Sequence, residues 1–390
     1  MSKATPTPGE RRRSLIAVTA SLTVLALIHG LTMPLLALVL EAQGVEKGLI
    51  GLSSATQAVA VFTIAPFMPR WIARFGLARL MIGSMLMTIA VFLLLPVFPN
   101  VYAWFPLRFL LGISGSLLWI GGEAWVNQMV DDSARGRVVA CYTAALSAGM
   151  AIGPFVLVLT GTEGWPPFLA AAALIAISGA PLLFAADVVP DVGGTSSIGL
   201  PAFLVIAPTA LLLNGVYAAT DMAFLTFLPI YTIDLGLGEA SSLTLLTIAG
   251  VGGLVFQLPM GWLADHVDRH LLVIVTVLIV IAGAAAMPFV IALETWNMVF
   301  MFAFGGMFAS LYTFALVLLG ERFRGADLAS ASVAFGVMWG VGSVAGPPIG
   351  GATMDLLEPH GLPIVIGAAF ALYLPIPIWE YVKKRRRQRS

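Results

Sequence analysis

Residues Pro106 to Arg137 read PLRFLLGISGSLLWIGGEAWVNQMVDDSARGR, and this stretch decides the fold. An arginine opens a long apolar run, glycines recur along it, and a glutamate stands near its far end. The basic loop Arg135-Gly136-Arg137 closes it. At ~100° per residue, Arg108, Gly112, Gly115, Trp119 and Gly122 fall within about 40° of one line, with Glu123 roughly 60° off it. The run is long enough to cross a bilayer core, and it puts a cation and a carboxylate inside that core. Each of those charges has to be compensated there.

The rest of the chain has the same character. Of 390 residues, 59% are hydrophobic and 10% charged, against about 25% charged in a soluble domain. Composition therefore predicts a polytopic membrane protein. The single cysteine, Cys141, rules out an intrachain disulfide. The N-terminal segment is polar and ends in Arg11-Arg12-Arg13. The apolar run behind it, Ser14 to Leu40, is longer than the ~7–15 residues of a signal-peptide core, so it reads as a retained first membrane helix.

Breaks at charges, prolines and glycines divide the chain into twelve apolar runs: 14–41, 49–69, 77–97, 101–129, 138–160, 166–186, 202–232, 241–263, 271–292, 296–319, 328–353 and 361–382. The expected fold is an all-α membrane protein with twelve transmembrane helices in two pseudo-symmetric six-helix bundles. Its parts are a tail (1–13), a first bundle (14–186), a linker (187–201), a second bundle (202–382) and a basic tail (383–390). Every lysine and arginine except Lys47 and Arg108 falls in a segment that this layout places inside, provided both termini are cytoplasmic. Tyr102, Trp104, Trp165 and Trp296 mark the outer interface; Trp71, Trp262, Trp379 and Tyr381 mark the inner one.

The halves repeat. The fifth run carries Gly149-x-x-x-Gly153-Pro154 and the eleventh Gly342-x-x-x-Gly346-Pro347. Arg135-Gly136 follows the fourth run and Arg324-Gly325 the tenth. One GxxxG is ordinary helix packing, but two copies in matching helices, both ending in Gly-Pro, are more specific. Duplicated halves around a midplane site are a common plan for secondary transporters. Gly261, Leu263, Asp265 and Arg269 lie in a tight loop after the eighth run, where Asp265 is placed to meet helix N-terminal amides or a neighbouring arginine.

These motifs resemble those of the major facilitator superfamily, over essentially the whole chain. Gly261, Leu263, Asp265 and Arg269 resemble its second-half loop motif, Arg108-x-x-x-Gly112-x-x-Gly115 its fourth-helix motif, and Gly149-x-x-x-Gly153-Pro154 the fifth-helix motif of antiporters and exporters. The Glu123 and Arg135-Gly136-Arg137 context is similar to a bacterial branch near the drug and metabolite exporters. The first-half loop departs from the pattern: Pro69 stands where glycine is expected and Ala73 where aspartate is. The resemblance implies that Asp265 carries the inner gate alone, that Arg108 belongs to proton coupling, and that the first, fourth, seventh and tenth runs line a central cavity.

Four residues put a charged or titratable group well inside a run, away from its ends: His29, Arg108, Glu123 and Asp221. Asn214, Tyr217 and Asp221 recur at i, i+3, i+7 and form one polar stripe; the tenth run contributes Tyr312. Depth places Arg108 in the outer half, Glu123 near the inner side, and Asp221 at or above the middle. Arg108 and Asp221 are then a candidate pair across the two halves. Plainer readings stand beside these: a wetted interfacial carboxylate for Glu123, a structural ion pair for Asp221, a packing histidine for His29. Phenylalanines 224, 227, 300, 302, 304, 308 and 314 suit core, lipid contact or an apolar cavity wall.

The expected function is a secondary transporter that moves a small amphipathic solute across the bacterial inner membrane by alternating access, through proton-coupled antiport (efflux). The alternative is a proton-coupled importer or facilitator of a small metabolite. Asp131-Asp132 is the one acidic pair in an inner loop, and no Gly-rich phosphate loop with lysine occurs. Neither an enzyme nor a primary pump is expected, nor any cofactor or metal. The expected partners are a small-molecule substrate, protons and the lipid bilayer, with no nucleic acid, for a chain that works as a monomer.

Overall fold

The computed structural model of the chain describes residues 8–129, 135–185, 206–293, 295–323 and 325–389. Among the described residues every regular element is an α-helix: α1 (Pro8–Glu41), α2 (Lys47–Ile64), α3 (Met68–Phe75), α4 (Leu77–Leu94), α5 (Val101–Met129), α6 (Arg135–Thr160), α7 (Pro166–Ala185), α8 (Pro208–Asp234), α9 (Glu239–His266), α10 (Arg269–Val290), α11 (Asn297–Arg322), α12 (Gly325–Leu356), α13 (Gly361–Tyr373) and α14 (Pro375–Arg389). Among the described residues eleven apolar helical spans are long enough to cross a membrane, and α7 adds a shorter one. In a lipid core no water satisfies backbone N–H and C=O groups, so such runs must close their hydrogen bonds internally. Leu159, Leu258, Phe289 and Leu372 are exposed on these helices, as residues facing acyl chains would be. The linker 187–201, Asp131, Asp132, Glu294, Arg324 and most of the N-terminal tail lie outside the described residues.

Most run limits shift by a few residues, and three local features differ in kind from the sequence reading. The expected loop at Pro69 to Gly76 is largely the short helix α3, with proline in its first turn and Gly76 at φ 79° after its last. Proline there forfeits an amide that has no partner anyway, and glycine takes the left-handed turn without penalty. The expected loop Arg135-Gly136-Arg137 forms the start of α6. The twelfth run is two helices, α13 and α14, because Pro375 has no N–H to continue the ladder.

The chain forms two compact units. One comprises Met1–Leu35 and Thr56–Gly194, the other Leu36–Ala55 and Thr195–Ser390. The second unit therefore includes the end of α1 and the start of α2.

In the first unit, α6 lies against α1 so closely that a Cβ at Gly149 or Gly153 would strike the Thr23 or Leu27 carbonyl. In the second unit α12 repeats this on α8, where Gly342 and Gly346 meet the Gly215 and Ala219 carbonyls. The two Gly-Pro motifs thus allow the same backbone approach in each unit. Polar contacts add to the packing of the first unit: Thr88 donates to Ser114 (2.9 Å) between α4 and α5, and Ser21 to the Ser178 carbonyl (2.7 Å) between α1 and α7.

Candidate functional site

Helix α8 organises the second unit. Thr209 lies at one end, Asp234 at the other and Asp221 midway, ~18–20 Å from each along the axis. Tyr217, one turn before Asp221, donates its hydroxyl to Asp221 Oδ1 at 3.4 Å. Within this unit Tyr217 is the one hydrogen-bond partner of Asp221 among the described residues. The Tyr217 ring lies 5.8 Å from Tyr312 of α11, 5.8 Å from Trp339 of α12 and 5.1 Å from Phe308; Tyr312 and Trp339 are 5.4 Å apart. The tyrosine that holds the carboxylate therefore belongs to a cluster of aromatic rings drawn from three helices. Such a cluster offers apolar area, π faces that attract cations, and hydroxyls that fix orientation. Trp339 is absent from the sequence-level candidates. Its signal was its place one turn before Gly342, on the helix that packs α8.

Asn214, the first member of the polar stripe, is fully buried and donates to the Phe335 carbonyl at 2.7 Å. It ties α8 to α12. Within the stripe Asn214 thus bridges two helices, while Tyr217 and Asp221 are joined to each other.

In the first unit, Glu123 of α5 accepts from the Trp119 indole N–H at 3.1 Å, and the Tyr142 hydroxyl of α6 faces the same carboxylate. Glu123 lies ~9 Å from the Met129 end of its helix. Arg108 is fully buried near the other end, and His29 is half-buried on α1. The glycine line of α5 serves two purposes. Gly112 abuts the Gln57 carbonyl of α2 and Gly122 the Leu22 side chain of α1, whereas a Cβ at Gly115 would meet nothing within 4 Å.

Two charged clusters close the ends of the second unit. At one end the Lys47 side chain is 8% exposed, with Nζ 3.0 Å from Asp234, 3.3 Å from Glu358 and 3.8 Å from Glu41. Asp355 accepts from the amides of Lys47 (3.0 Å) and Gly48 (2.7 Å), capping the first turn of α2. A nearly buried ammonium persists only when paired, and these carboxylates come from α1, α8 and the α12–α13 region. Sequence reasoning singled out Lys47 as the one outer cation but missed its partners, which are remote from it in sequence.

At the other end Glu380 of α14 accepts from Thr209 (2.6 Å), His270 (3.3 Å) and Arg322 (3.4 Å). Asp268 accepts from the amides of His270 and Leu271, at 3.0 and 3.2 Å, and pairs with Lys384 at 2.9 Å. Burial raises the Asp268 carboxyl, but the Lys384 ammonium and the Leu271 amide outweigh it and hold the carboxyl below its ordinary value. Arg269 binds Glu321 at 2.9 Å and reaches Asp265 only at 3.9 Å. Asp265 itself is 69% exposed, and Gly261 faces open space. Asp268, Glu321 and Glu380 make the strong contacts around this loop. A cavity of about 260 Å³ opens among Thr209, His270, Arg322, Glu380 and Lys384, ~18 Å along α8 from Asp221.

Apolar spans of this number define a multi-pass membrane protein. The chain belongs to the Major Facilitator Superfamily, whose sequence model matches residues 18–300 and again 210–390. It is 23% identical over 346 residues to the uncharacterised MFS-type transporter YfkF of Bacillus subtilis (strain 168), covering 86% of this chain and 87% of the relative. It is 26% identical over 275 residues to YcaD of Salmonella enteritidis PT4, also named an uncharacterised MFS-type transporter, covering 70% and 71%. Among solved structures, a bacterial homologue of the human lysosomal transporter Spinster superposes with a TM-score of 0.77 at 12% identity, covering 95% of this chain and 96% of that one. A D-xylose–proton symporter superposes at 0.70 and 16% identity, covering 93% and 96%.

Proposed function

We propose that this chain is a proton-coupled exporter of a small amphipathic solute. It would work by alternating access across a bacterial inner membrane, with twelve helices and both termini cytoplasmic. The observation that carries this reading is Asp221 at the middle of α8, held by the hydroxyl of Tyr217, whose ring packs beside Tyr312 and Trp339. A phenol can donate to a carboxylate or accept from a carboxylic acid, so Tyr217 serves Asp221 in both protonation states. Asp221 is the proton carrier on this reading. It binds a proton in one state and releases it when Arg108 or a cationic part of the solute approaches, because a nearby cation favours the ionised form. The aromatic cluster receives the apolar part of the solute. Lys47 and its carboxylates form an outer latch that must open for the outward-facing state, and the contacts of Asp268, Arg269 and Glu380 hold the inner rim.

One observation favours the alternative of uptake: a protein named a D-xylose–proton symporter shares this fold. Direction is not a property of fold. Both readings are tested with the purified full-length chain in liposomes containing a pH-sensitive dye, across a panel of cationic, neutral and anionic amphiphiles. Exchange moves protons against the compound; symport moves them with it. Absence of compound-driven proton movement across the panel contradicts proton coupling.

A further inference from the structure

Helix α14 continues the last apolar span beyond its apolar part. At ~100° per residue its side chains divide into two faces. Pro377, Glu380 and Lys384 lie on the face toward the second unit, where Glu380 holds Thr209, His270 and Arg322, and Lys384 holds Asp268. Ile378, Trp379, Val382, Lys383, Arg385 and Arg386 occupy the opposite arc of about 160° and are exposed. On that arc the apolar groups come first and the cations follow about one turn, ~6 Å, later. Lys383 Nζ lies 4.5 Å from the Trp379 ring, and Arg385 Cζ lies 4.9 Å from the ring of Tyr381 at the edge of this face. No acidic residue occurs after Glu380, and Arg387 and Arg389 add further positive charge.

We propose that this outward face is a docking surface for anionic phospholipid headgroups of the inner leaflet, a placement that rests on the orientation proposed above. Trp379, Ile378 and Val382 need an apolar neighbour, and indole rings favour the interfacial level of a bilayer. Lys383, Arg385 and Arg386 then stand at the phosphate level, where juxtamembrane basic clusters attract anionic lipid. An acidic soluble partner would satisfy the cations but not the apolar residues one turn earlier. The docked lipid also acts on the other face of the helix, because lipid that holds α14 keeps Lys384 and Glu380 on their partners at the inner rim.

The test is electron paramagnetic resonance of spin-labelled lipids around the full-length protein in phosphatidylcholine membranes. It needs no transported compound, so its failure is separate from failure of the transport reading. Wild type should select phosphatidylglycerol over phosphatidylcholine by about threefold or more, with the preference fading in high salt. The triple variant Lys383→Gln, Arg385→Gln, Arg386→Gln should lose most of that preference. The charge-preserving variant Lys383→Arg, Arg385→Lys, Arg386→Lys should keep it. If the glutamine variant does not insert, the charge-preserving variant and the wild-type salt titration decide. Wild type without selectivity, selectivity indifferent to salt, or selectivity unchanged in the glutamine variant would each overturn the proposal. Abolition by millimolar inorganic phosphate would assign the surface to a soluble anion and overturn it too.

Discussion

Glu123 and Asp221 are built on one plan, each accepting from an aromatic side chain four residues earlier on its own helix. The donor is the Trp119 indole at 3.1 Å in one case and the Tyr217 hydroxyl at 3.4 Å in the other. An indole only donates, so it serves the carboxylate better than the neutral acid; a phenol serves both. Glu123 is also faced by Tyr142, and it lies near the end of α5. Among the described residues of its own unit, Asp221 has one, longer hydrogen bond, at the centre of α8, a helix tied at one end by Asp234 to Lys47 and at the other by Thr209 to Glu380. The difference lies in the intrahelical donor, which at Asp221 is a hydroxyl that can either donate or accept and at Glu123 is an indole that can only donate. On the reading proposed above, that makes Asp221 the carboxylate suited to proton exchange.

The largest effect should come from removing the exchangeable group. Asp221→Asn keeps shape and hydrogen-bonding capacity but cannot titrate. Proton-driven solute movement should fall about tenfold or more, a decade being ~1.4 kcal/mol, while solute binding measured by tryptophan quenching persists. Lys47→Met comes next, since it leaves Asp234, Glu41 and Glu358 facing each other without their cation. The expected loss is on the order of 1–3 kcal/mol, below that of a fully buried pair because Glu358 and Asp234 remain partly wet. Thermal unfolding should show the loss, and a cysteine near Gly44 should become more reactive toward an impermeant reagent. Unchanged stability and labelling would mean that α8 is not anchored through Lys47.

The donors themselves can be compared directly. Tyr217→Phe should slow coupled flux several-fold, whereas Trp119→Phe should change it by less than about twofold; a hydrogen bond to a charged group is worth ~1.5–3 kcal/mol at most. Equal effects would erase the distinction between the two sites. The smallest effect belongs to the inner rim. Asp268→Asn keeps a good helix cap but loses the charge opposite Lys384. Because the folded-state carboxyl is held below its ordinary value, its contribution is complete above that value, near 3.9, and disappears as pH falls through the lower folded one. The variant should therefore be less stable than wild type near neutrality by under about 1 kcal/mol. In acid the gap should close, and a gap that widens there would reverse the assigned sign.

Much of the helical pattern was legible because bilayer length and backbone satisfaction act locally: the fourth run and α5 share the limits Val101 and Met129. What escaped was long-range or set by single prolines. The α3 helix hid behind an apparent loop, since Pro69 reads as a breaker unless its place in the first turn is known. The site was half legible. Tyr217 and Asp221 stand out by polarity in an apolar run, but Asn214 shares their spacing, and only the structure shows that its amide ties α8 to the Phe335 carbonyl. Trp339 had one weak pointer, its place one turn before Gly342, and a tryptophan in a membrane helix is ordinary until its neighbours are known. Asp265 matched a loop motif, yet Asp268, three residues on, caps α10 and binds Lys384, a distinction made by the turn and not by residue type.

The central claim is that Asp221, and not Glu123, carries the proton. Compound-driven proton flux measured side by side for wild type, Asp221→Asn and Glu123→Gln, in liposomes of one composition and at matched protein density, tests it most directly. The prediction is loss in Asp221→Asn with most of the flux retained in Glu123→Gln. Wild-type flux in Asp221→Asn with loss in Glu123→Gln would contradict it and move the proton to the first unit; wild-type flux in both would remove carboxylate coupling from these two sites.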